Sequence, residues 1–502
     1  LFRKVLVANR GEIAVRIIRA LREMQIRSVA VFSEVDRAAL HVQMADEAIC
    51  IGPAPSSESY LAGDRIIQAA LQTGAEAIHP GYGFLSENAA FARSCAEAGI
   101  KFIGPSWQAI EQMGSKTAAR KLARAAGAPI VPGTEQGIDN PEDARAIAAR
   151  IGYPVLLKAA AGGGGKGMRR VENERELKSA MLAASSEAER AFGSGEVYLE
   201  KLIERPRHIE IQVLGDEHGN LIHLGERECS LQRRHQKVLE ESPSPLVLAR
   251  PELRSQIGEA AVRIAKAVNY SNAGTLEFLA DQNGAFYFLE MNTRLQVEHP
   301  VTEWVTGIDL VHWQIRIAAG ERLTLRQEDI TWRGSAIECR VYAEDPDRDF
   351  FPCPGRILRY REPAGPGVRV DSGVYAGWTV PLEYDPLLAK LTVWAEDRLS
   401  AIERMRRAVS EFSILGITTN LTLFERLMAD ERFRSGDLDT AFLAGFLDRA
   451  RSQPKDPDAL LVSILAAAHA GSQDNSHNRT QPDRNRKASD PWRVQARIGL
   501  LR

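Results

Sequence analysis

Strand and helix signals alternate through the first hundred residues, and this alternation narrows the possible folds more than any other feature of the chain. Val5-Leu6-Val7 reads as a buried strand, Ile13, Ile17, Leu21 and Met24 recur at helical spacing, and 28–32 reads as the next strand. A second round follows, with a helix over 60–72, a strand over 76–79 and a helix over 87–98. Such alternation predicts a parallel sheet with both faces covered. The first turn, Ala8-Asn9-Arg10-Gly11-Glu12, contains no GxGxxG, so the scaffold is Rossmann-like without the dinucleotide fingerprint.

The middle of the chain obeys a different pattern. From 153 to 361 short alternating strands dominate, with hairpin turns at 216–220 and 281–284, which predicts α+β structure with antiparallel sheet. Helices return over 254–268 and 401–412. Residues 459–470 are apolar but too few to span a bilayer and read as a soluble helix, while 471–490 are polar and read as a linker. A length of 502 residues fits about three domains. Lys and Arg total 64 against 66 Asp and Glu, a balance that argues against nucleic-acid binding by bulk charge. Five cysteines without a CxxC argue against a zinc knuckle or redox dithiol and suit a reducing compartment. No leader pattern precedes the first strand, so the chain is expected in the cytoplasm, or in the mitochondrial matrix of a eukaryote.

Chemistry first surfaces in Lys158-Ala159-Ala160-Ala161-Gly162-Gly163-Gly164-Gly165-Lys166-Gly167-Met168. Glycines let backbone N–H groups approach phosphate oxygens, and the flanking lysines supply charge. The Walker A pattern fails here, because Ala160 stands where its first glycine belongs and Gly167 where Ser or Thr would hold magnesium. The reading left is a phosphate-binding loop of another kind, against a plain surface hairpin.

Residues 274–292 read as a hairpin with a two-residue Asn-Gly turn, in which Gln282 faces Ala285. Glu277 then lies opposite Glu290, with Cβ atoms ~5 Å apart, an unfavourable pairing unless a cation sits between them. Asn292 shares that face. Two carboxylates and an amide oxygen suit Mg²⁺ held between protein and nucleotide phosphates. If the strand runs on straight, Arg294, Gln296 and Glu298 follow on the same side and could hold a small anion, with Glu298 as a base. Ser115 is a good N-cap before Lys116, where phosphate would be favoured. Glu200-Lys201-Leu202-Ile203 could offer hydrogen bonds to a base. His208, Glu210 and Gln212 alternate with apolar residues as in any half-buried strand, and Arg233, Arg234, His235 and Lys237 read as a solvated basic cluster.

Together the stretches 8–14, 79–88, 158–168, 226–237 and 290–302, in that order, resemble the biotin carboxylase branch of the ATP-grasp enzymes. The resemblance implies a Rossmann-like pre-ATP-grasp domain over 1–113, a connector over 114–130, and an ATP-grasp lid with the Gly-rich loop over 131–203. A C-terminal biotin carboxylase domain over 204–450 and a tail over 451–502 complete the division. It implies that Lys116, Lys158, Gly164, Gly165, Glu200, Lys201, Ile203, His208, Gln232 and His235 line an ATP site. Glu277, Glu290 and Asn292 would serve Mg²⁺ or Mn²⁺. Lys237, Arg294, Gln296 and Val297 would hold bicarbonate, Glu298 would be its base, and Arg340 would face biotin with Tyr82 and Gly83 beside the ring.

The implied activity is ATP-driven carboxylation of biotin through carboxyphosphate, the first half-reaction of a carboxylase. The chain is most similar to the α-subunits of acyl-CoA carboxylases of the methylcrotonoyl-, propionyl- or acetyl-CoA type. No methionine here is followed by lysine, so the biotin must sit on a carrier domain on another chain or in an absent part. Expected partners are that carrier, a carboxyltransferase, and a second copy of the chain within a larger complex, with neither nucleic acid nor membrane. The alternative left open is another ATP-grasp ligase that activates a different carboxylate as an acyl phosphate.

Overall fold

A computed structural model describes residues 1–452 except 135–136, 139, 160–167, 193–194 and 235. The Gly-rich loop and the expected helix and linker at 459–490 therefore lie outside the described residues.

The N-terminal alternation folds as expected. Five parallel strands stand in the order Glu47–Gly52, Arg27–Ser33, Lys4–Val7, Ala77–His79, Lys101–Phe102. Val5, Leu6 and Val7 are buried because helices cover both faces; the first helix, Gly11–Glu23, buries Ile13, Ile17 and Leu21, while Met24 at its end is half-buried. The helices expected over 60–72 and 87–98 run over Gly63–Thr73 and Ala89–Glu97, the latter starting at an Asn88 cap that accepts from Phe91 N–H at 2.8 Å. The edge strand Glu47–Gly52 was not expected, since only Ile51 of its residues is buried and its apolar signal is diluted.

One contact braces this layer internally and another ties it to a later part of the chain. The Asn9 amide donates to the carbonyls of Pro80 and Tyr82, both at 2.7 Å, joining the opening turn to the 79–83 loop. Gly373 packs so closely on the first turn of helix Gly11–Glu23 that a Cβ there would stand 2.5 Å from the Glu12 backbone nitrogen.

A three-stranded antiparallel sheet follows, in the order Arg169–Val171, Val155–Ala159, Val197–Lys201. With helices Pro141–Ile151 and Glu174–Phe192 it owns a separate core containing Ala144, Leu157, Val171, Leu177 and Leu199. These elements lie within the span 131–203 expected for the lid.

The largest element is an eight-stranded sheet, antiparallel throughout. Its order is Phe286–Asn292, Asn272–Ala280, Arg207–Gly215, Leu221–Arg233, Gln236–Ser242, Ser335–Tyr342, Leu387–Ala395, Val368–Ser372. Helices Glu252–Ala267 and Arg398–Glu411 occupy the positions expected for 254–268 and 401–412. The turn at 216–220 forms as expected: Asp216 N–H donates to Asn220 C=O at 2.9 Å, and its carboxylate accepts from the His218 and Asn220 N–H groups. No helix among the described residues is long and apolar enough to cross a membrane.

His79 ends the fourth parallel strand fully buried, its Nδ1 accepting from Gly81 N–H at 3.1 Å, and burial pushes its pKa down to about 3. Unfolded, it titrates near the free value of about 6.5. The unfolded state therefore takes up a proton that the folded state refuses, so this contribution is complete above the free value and lost as pH falls through it. By pH 5.5 the loss reaches about 1.4 kcal/mol. His79→Asn, which keeps an acceptor, should be less stable than the parent at pH 8 and close that gap by about this amount at pH 5.5, as read by chemical denaturation.

Candidate active site

The hairpin of strands Asn272–Ala280 and Phe286–Asn292 places Glu277 directly opposite Glu290 and Thr275 opposite Asn292. The expected pairing is reached by a different route. The loop is Gln282-Asn283-Gly284, one residue longer than an Asn-Gly turn, with Asp281 N–H bonded to Ala285 C=O at 2.8 Å and Gly284 at φ +87°. Near the loop Phe278 faces Phe288; a bulge between that pair and Glu277/Glu290 then shifts the register back by one.

Beyond Asn292 the strand does not continue straight. Thr293 N–H donates to Glu87 Oε1 at 2.9 Å, a side-chain acceptor that replaces a ladder partner, and 293–298 are irregular. Arg294 turns to the same residue, its Nε donating to Glu87 Oε2 at 2.7 Å and a terminal nitrogen to Asn292 Oδ1 at 3.0 Å.

Gln296 and Glu298 nonetheless reach one centre, the ammonium of Lys237 on strand Gln236–Ser242. Lys237 Nζ donates to Glu298 Oε1 at 2.6 Å, Glu277 Oε1 at 2.9 Å, Gln296 Oε1 at 3.1 Å and Glu210. Lys237 therefore does not belong to a solvated cluster. Arg233 and Arg234 pair with Asp349 at the surface, while the Lys237 side chain is only 12% exposed. Glu210 is also held by the fully buried Arg227, which reaches Gln212 at 2.8 Å and Thr275 and Thr302 at 3.0 Å. Glu298 Oε2 accepts from Arg340 at 2.9 Å, and Arg340 Nε donates to Glu240 at 2.6 Å. His208 Nε2 stands 2.9 Å from Glu277 Oε2, and Asn292 Nδ2 donates to Glu277 Oε1 at 2.9 Å.

The charges set one another's protonation. Burial alone would lift the Glu277 carboxyl, yet Lys237 and His208 hold it well below the usual range. The same balance holds Glu298 low, where Lys237 and then Arg340 outweigh burial. His208 and Lys237 are raised despite burial, by Glu277 and by the three surrounding glutamates respectively. Glu240, further from the ammonium, is pushed by burial up to about 8.

Other expected residues stand apart from this centre. Lys158 pairs with Glu200 on the three-stranded sheet, where Arg120 also meets Glu200. Lys201 donates to the carbonyls of Gly152 at 3.0 Å and Tyr153 at 2.9 Å, and half-buried Ile203 follows it. Gln232 donates to the Cys229 carbonyl at 2.8 Å. Lys116 opens a helix behind the Ser115 cap, as expected, but its side chain lies outside what the structure describes, as do Gly164, Gly165 and His235. Tyr82 and Gly83 sit in the loop held by Asn9.

Sequence reasoning missed Glu87, Glu240 and Arg227 and undervalued Glu210. Three polar residues alternating at 208, 210 and 212 were the available signal for Glu210. Glu87 offered none, lying 207 residues from its arginine partner.

Comparison with known proteins decides the family. Residues 1–110 match the sequence model of the biotin carboxylase N-terminal domain and residues 338–445 that of its C-terminal domain. Residues 115–326, which hold the hairpin and Lys237, match the ATP-binding domain of the carbamoyl-phosphate synthase L chain. A biotin carboxylase of Nostoc sp. is 56% identical over 88% of this chain and 98% of its own. The chain belongs to the biotin carboxylase family. One of the subunits of Methanothermobacter thermautotrophicus pyruvate carboxylase is likewise 56% identical, over 88% of this chain and 90% of its own. The biotin carboxylase domain dimer of Hydrogenobacter thermophilus 2-oxoglutarate carboxylase, solved with MgADP and bicarbonate, superposes with a TM-score of 0.81 at 52% identity. The match covers 89% of this chain and 98% of that one. The mixed α/β fold expected for a biotin carboxylase is the fold observed.

Lys237→Met would leave Glu210, Glu277 and Glu298 without their shared cation. Breaking a buried pair costs about 3–5 kcal/mol. Glu277 and Glu298 lose the cation that does most to hold them low, so their carboxyls move up and the variant's deficit should be larger above the free carboxylate value of about 4.3 than below it. Thermal unfolding at pH 3.5 and pH 7 measures it.

Proposed function

We propose that this chain carboxylates biotin at the expense of ATP and bicarbonate, with Lys237 and its carboxylate ring as the seat of the reaction. The observation that carries this reading is the convergence of Glu277, Gln296 and Glu298 on one buried ammonium, beside the Glu277/Glu290 pair. It is an ATP-dependent ligase that forms a carbon–nitrogen bond, and its mechanism follows from that arrangement.

The donor set of the hairpin fits a hard divalent cation. Glu277, Glu290 and Asn292 offer oxygen ligands only, and Glu277 and Asn292 already share a contact. These three residues would hold Mg²⁺ or Mn²⁺, which supplies charge compensation to the transferring phosphoryl group. Lys116, Lys158, Glu200, Lys201, Ile203, His208, Gln232 and His235, with the glycines at 164 and 165, would border the nucleotide.

Bicarbonate would enter at Lys237, Arg294, Gln296 and the Val297 backbone. Its arrival changes the chemistry of Glu298. A carboxylate held low by Lys237 and Arg340 is ionised but a weak base, and it gains basicity when Lys237 turns to the anion. Glu298 then takes the bicarbonate proton while the freed oxygen attacks the γ-phosphorus, giving carboxyphosphate and ADP. Carboxyphosphate releases CO₂, its phosphate takes the N1′ proton of biotin, and the ring nitrogen attacks CO₂. Arg340 would offset the negative charge on the biotin ring, beside Tyr82 and Gly83. Residues 131–203 would act as the lid that excludes water.

The biotin would arrive on a carrier domain outside these residues, and a carboxyltransferase would take the carboxyl group onward, to an acyl-CoA or to a 2-oxo acid of the kind named for two relatives. The Hydrogenobacter dimer supports a paired assembly for this chain too.

Glu290→Gln should nearly abolish bicarbonate-dependent ATP cleavage and weaken Mg·ATP binding while leaving the fold intact; an unchanged metal dependence would refute the hairpin site. Arg294→Lys should bind ATP as the parent does but carboxylate free biotin about 10²–10³ more slowly, because a point charge replaces a planar fork aimed at developing charge. Lost ATP affinity with normal turnover at saturating ATP would make Arg294 a nucleotide ligand instead.

A further inference from the structure

Lys390 belongs to none of the motifs above, yet it is fully buried in the strand Leu387–Ala395 and its ammonium meets the reacting segment from behind. Its Nζ donates to the Val297 carbonyl at 2.8 Å. In the sheet it stands directly opposite Arg340, so both cations point to one face. Arg340 grips the Glu298 carboxylate at 2.9 Å and Lys390 grips the peptide one residue before it. The two cations therefore hold one dipeptide, one by its side chain and the other by its backbone.

Lys390 is itself anchored across the molecule. Glu12 Oε2, in the first turn of helix Gly11–Glu23, stands 3.3 Å from Nζ, and Asp371 Oδ2 stands 3.9 Å away. Glu12 is buried, and neither of its carboxylate oxygens has a hydrogen-bond partner in good geometry among the described residues. Asp371 is already held by Arg369 at 2.7 Å. The Tyr82 ring lies with its centroid 5.9 Å from Nζ. The other titratable groups that feel this charge are Glu338 in the neighbouring strand and His299, both buried. The shortest bond of the Lys390 ammonium goes to the peptide carbonyl next to Glu298 rather than to a carboxylate.

We propose that Lys390 is a positioning residue for Glu298, fixing the Val297–Glu298 peptide so that the carboxylate stays between Lys237 and Arg340, with Glu12 holding Lys390 in place. The proposal rests on the reading of Glu298 as the bicarbonate base.

The test uses the whole chain and free biotin. Lys390→Met should lower kcat by about 10–100-fold, the scale expected when a reacting group is misplaced by about 1 Å, and leave the KM for ATP within about twofold. The acid limb of its kcat–pH profile should move to higher pH, because a loosened Glu298 loses part of the Arg340 contact that keeps it low. Lys390→Met also strands the Glu12 carboxyl, so the double variant Glu12→Gln/Lys390→Met separates the two roles and covers the case in which the single variant does not fold. The double variant should recover melting temperature but neither kcat nor the parent pH profile. Recovery of kcat together with melting temperature would show that Lys390 is structural only, and a loss confined to ATP affinity would place its effect on the nucleotide side. Glu298→Gln is measured alongside. Normal turnover there removes the base reading and the proposal with it, whereas an inactive Glu298→Gln with a fully active double variant overturns the role of Lys390 alone.

Discussion

One ammonium with more acceptors than it has protons organises the centre of this protein. Lys237 has three N–H bonds to give and four oxygens competing for them, from Glu210, Glu277, Gln296 and Glu298. Removing water from so many carboxylates is tolerable only because Arg227 and Arg340 stand on the flanks, three cations against three acids. Each acid comes from a different strand or from the loop after the hairpin, so the ring closes only when the large sheet is assembled in register. Surplus acceptors also leave the ammonium easy to redirect: an incoming anion would replace one glutamate without leaving a proton unbonded.

The Rossmann-like layer contributes through its turns rather than through a nucleotide site of its own. Asn9 clamps the loop that carries Tyr82, Glu87 takes both the backbone and the side chain at 293 and 294, and Glu12 meets Lys390. Two of the first ninety residues, Glu12 and Glu87, thus reach the large sheet and the segment that follows its hairpin. In the opening Asn-Arg-Gly-Glu stretch, Asn9 holds the 79–83 loop of its own layer while Glu12 reaches Lys390 in the large sheet.

Legibility followed contact distance along the chain. The parallel layer was readable because burial on both faces makes its central strands continuously apolar; the polar edge strand Glu47–Gly52 lacked that signature. The Glu277/Glu290 pairing was readable because hairpin partners are local. Its expected turn was one residue too short, and the bulge cancelled the difference. Local reading took Lys237 for part of a solvated cluster, because charge in sequence does not report depth: Arg234 is exposed, Arg233 half-buried and the Lys237 side chain only 12% exposed, and only the resemblance set Lys237 apart. Glu87 with Arg294 and Lys390 with Val297 are long-range partners, and no periodicity in one chain encodes such pairs. The family motifs supplied expected roles for single residues that local reading left ambiguous.

The hairpin tip and its bulge form a matched set. A one-residue slip in a β pair turns every later side chain to the opposite face, so a turn in which Gln282 rather than Asp281 paired with Ala285 would carry Glu290 away from Glu277 unless the bulge vanished in the same step. Each feature alone would misalign the two carboxylates, and together they restore the pairing. The turn that an exposed loop adopts, remote from any reacting atom, thus helps to decide which carboxylates share a cation.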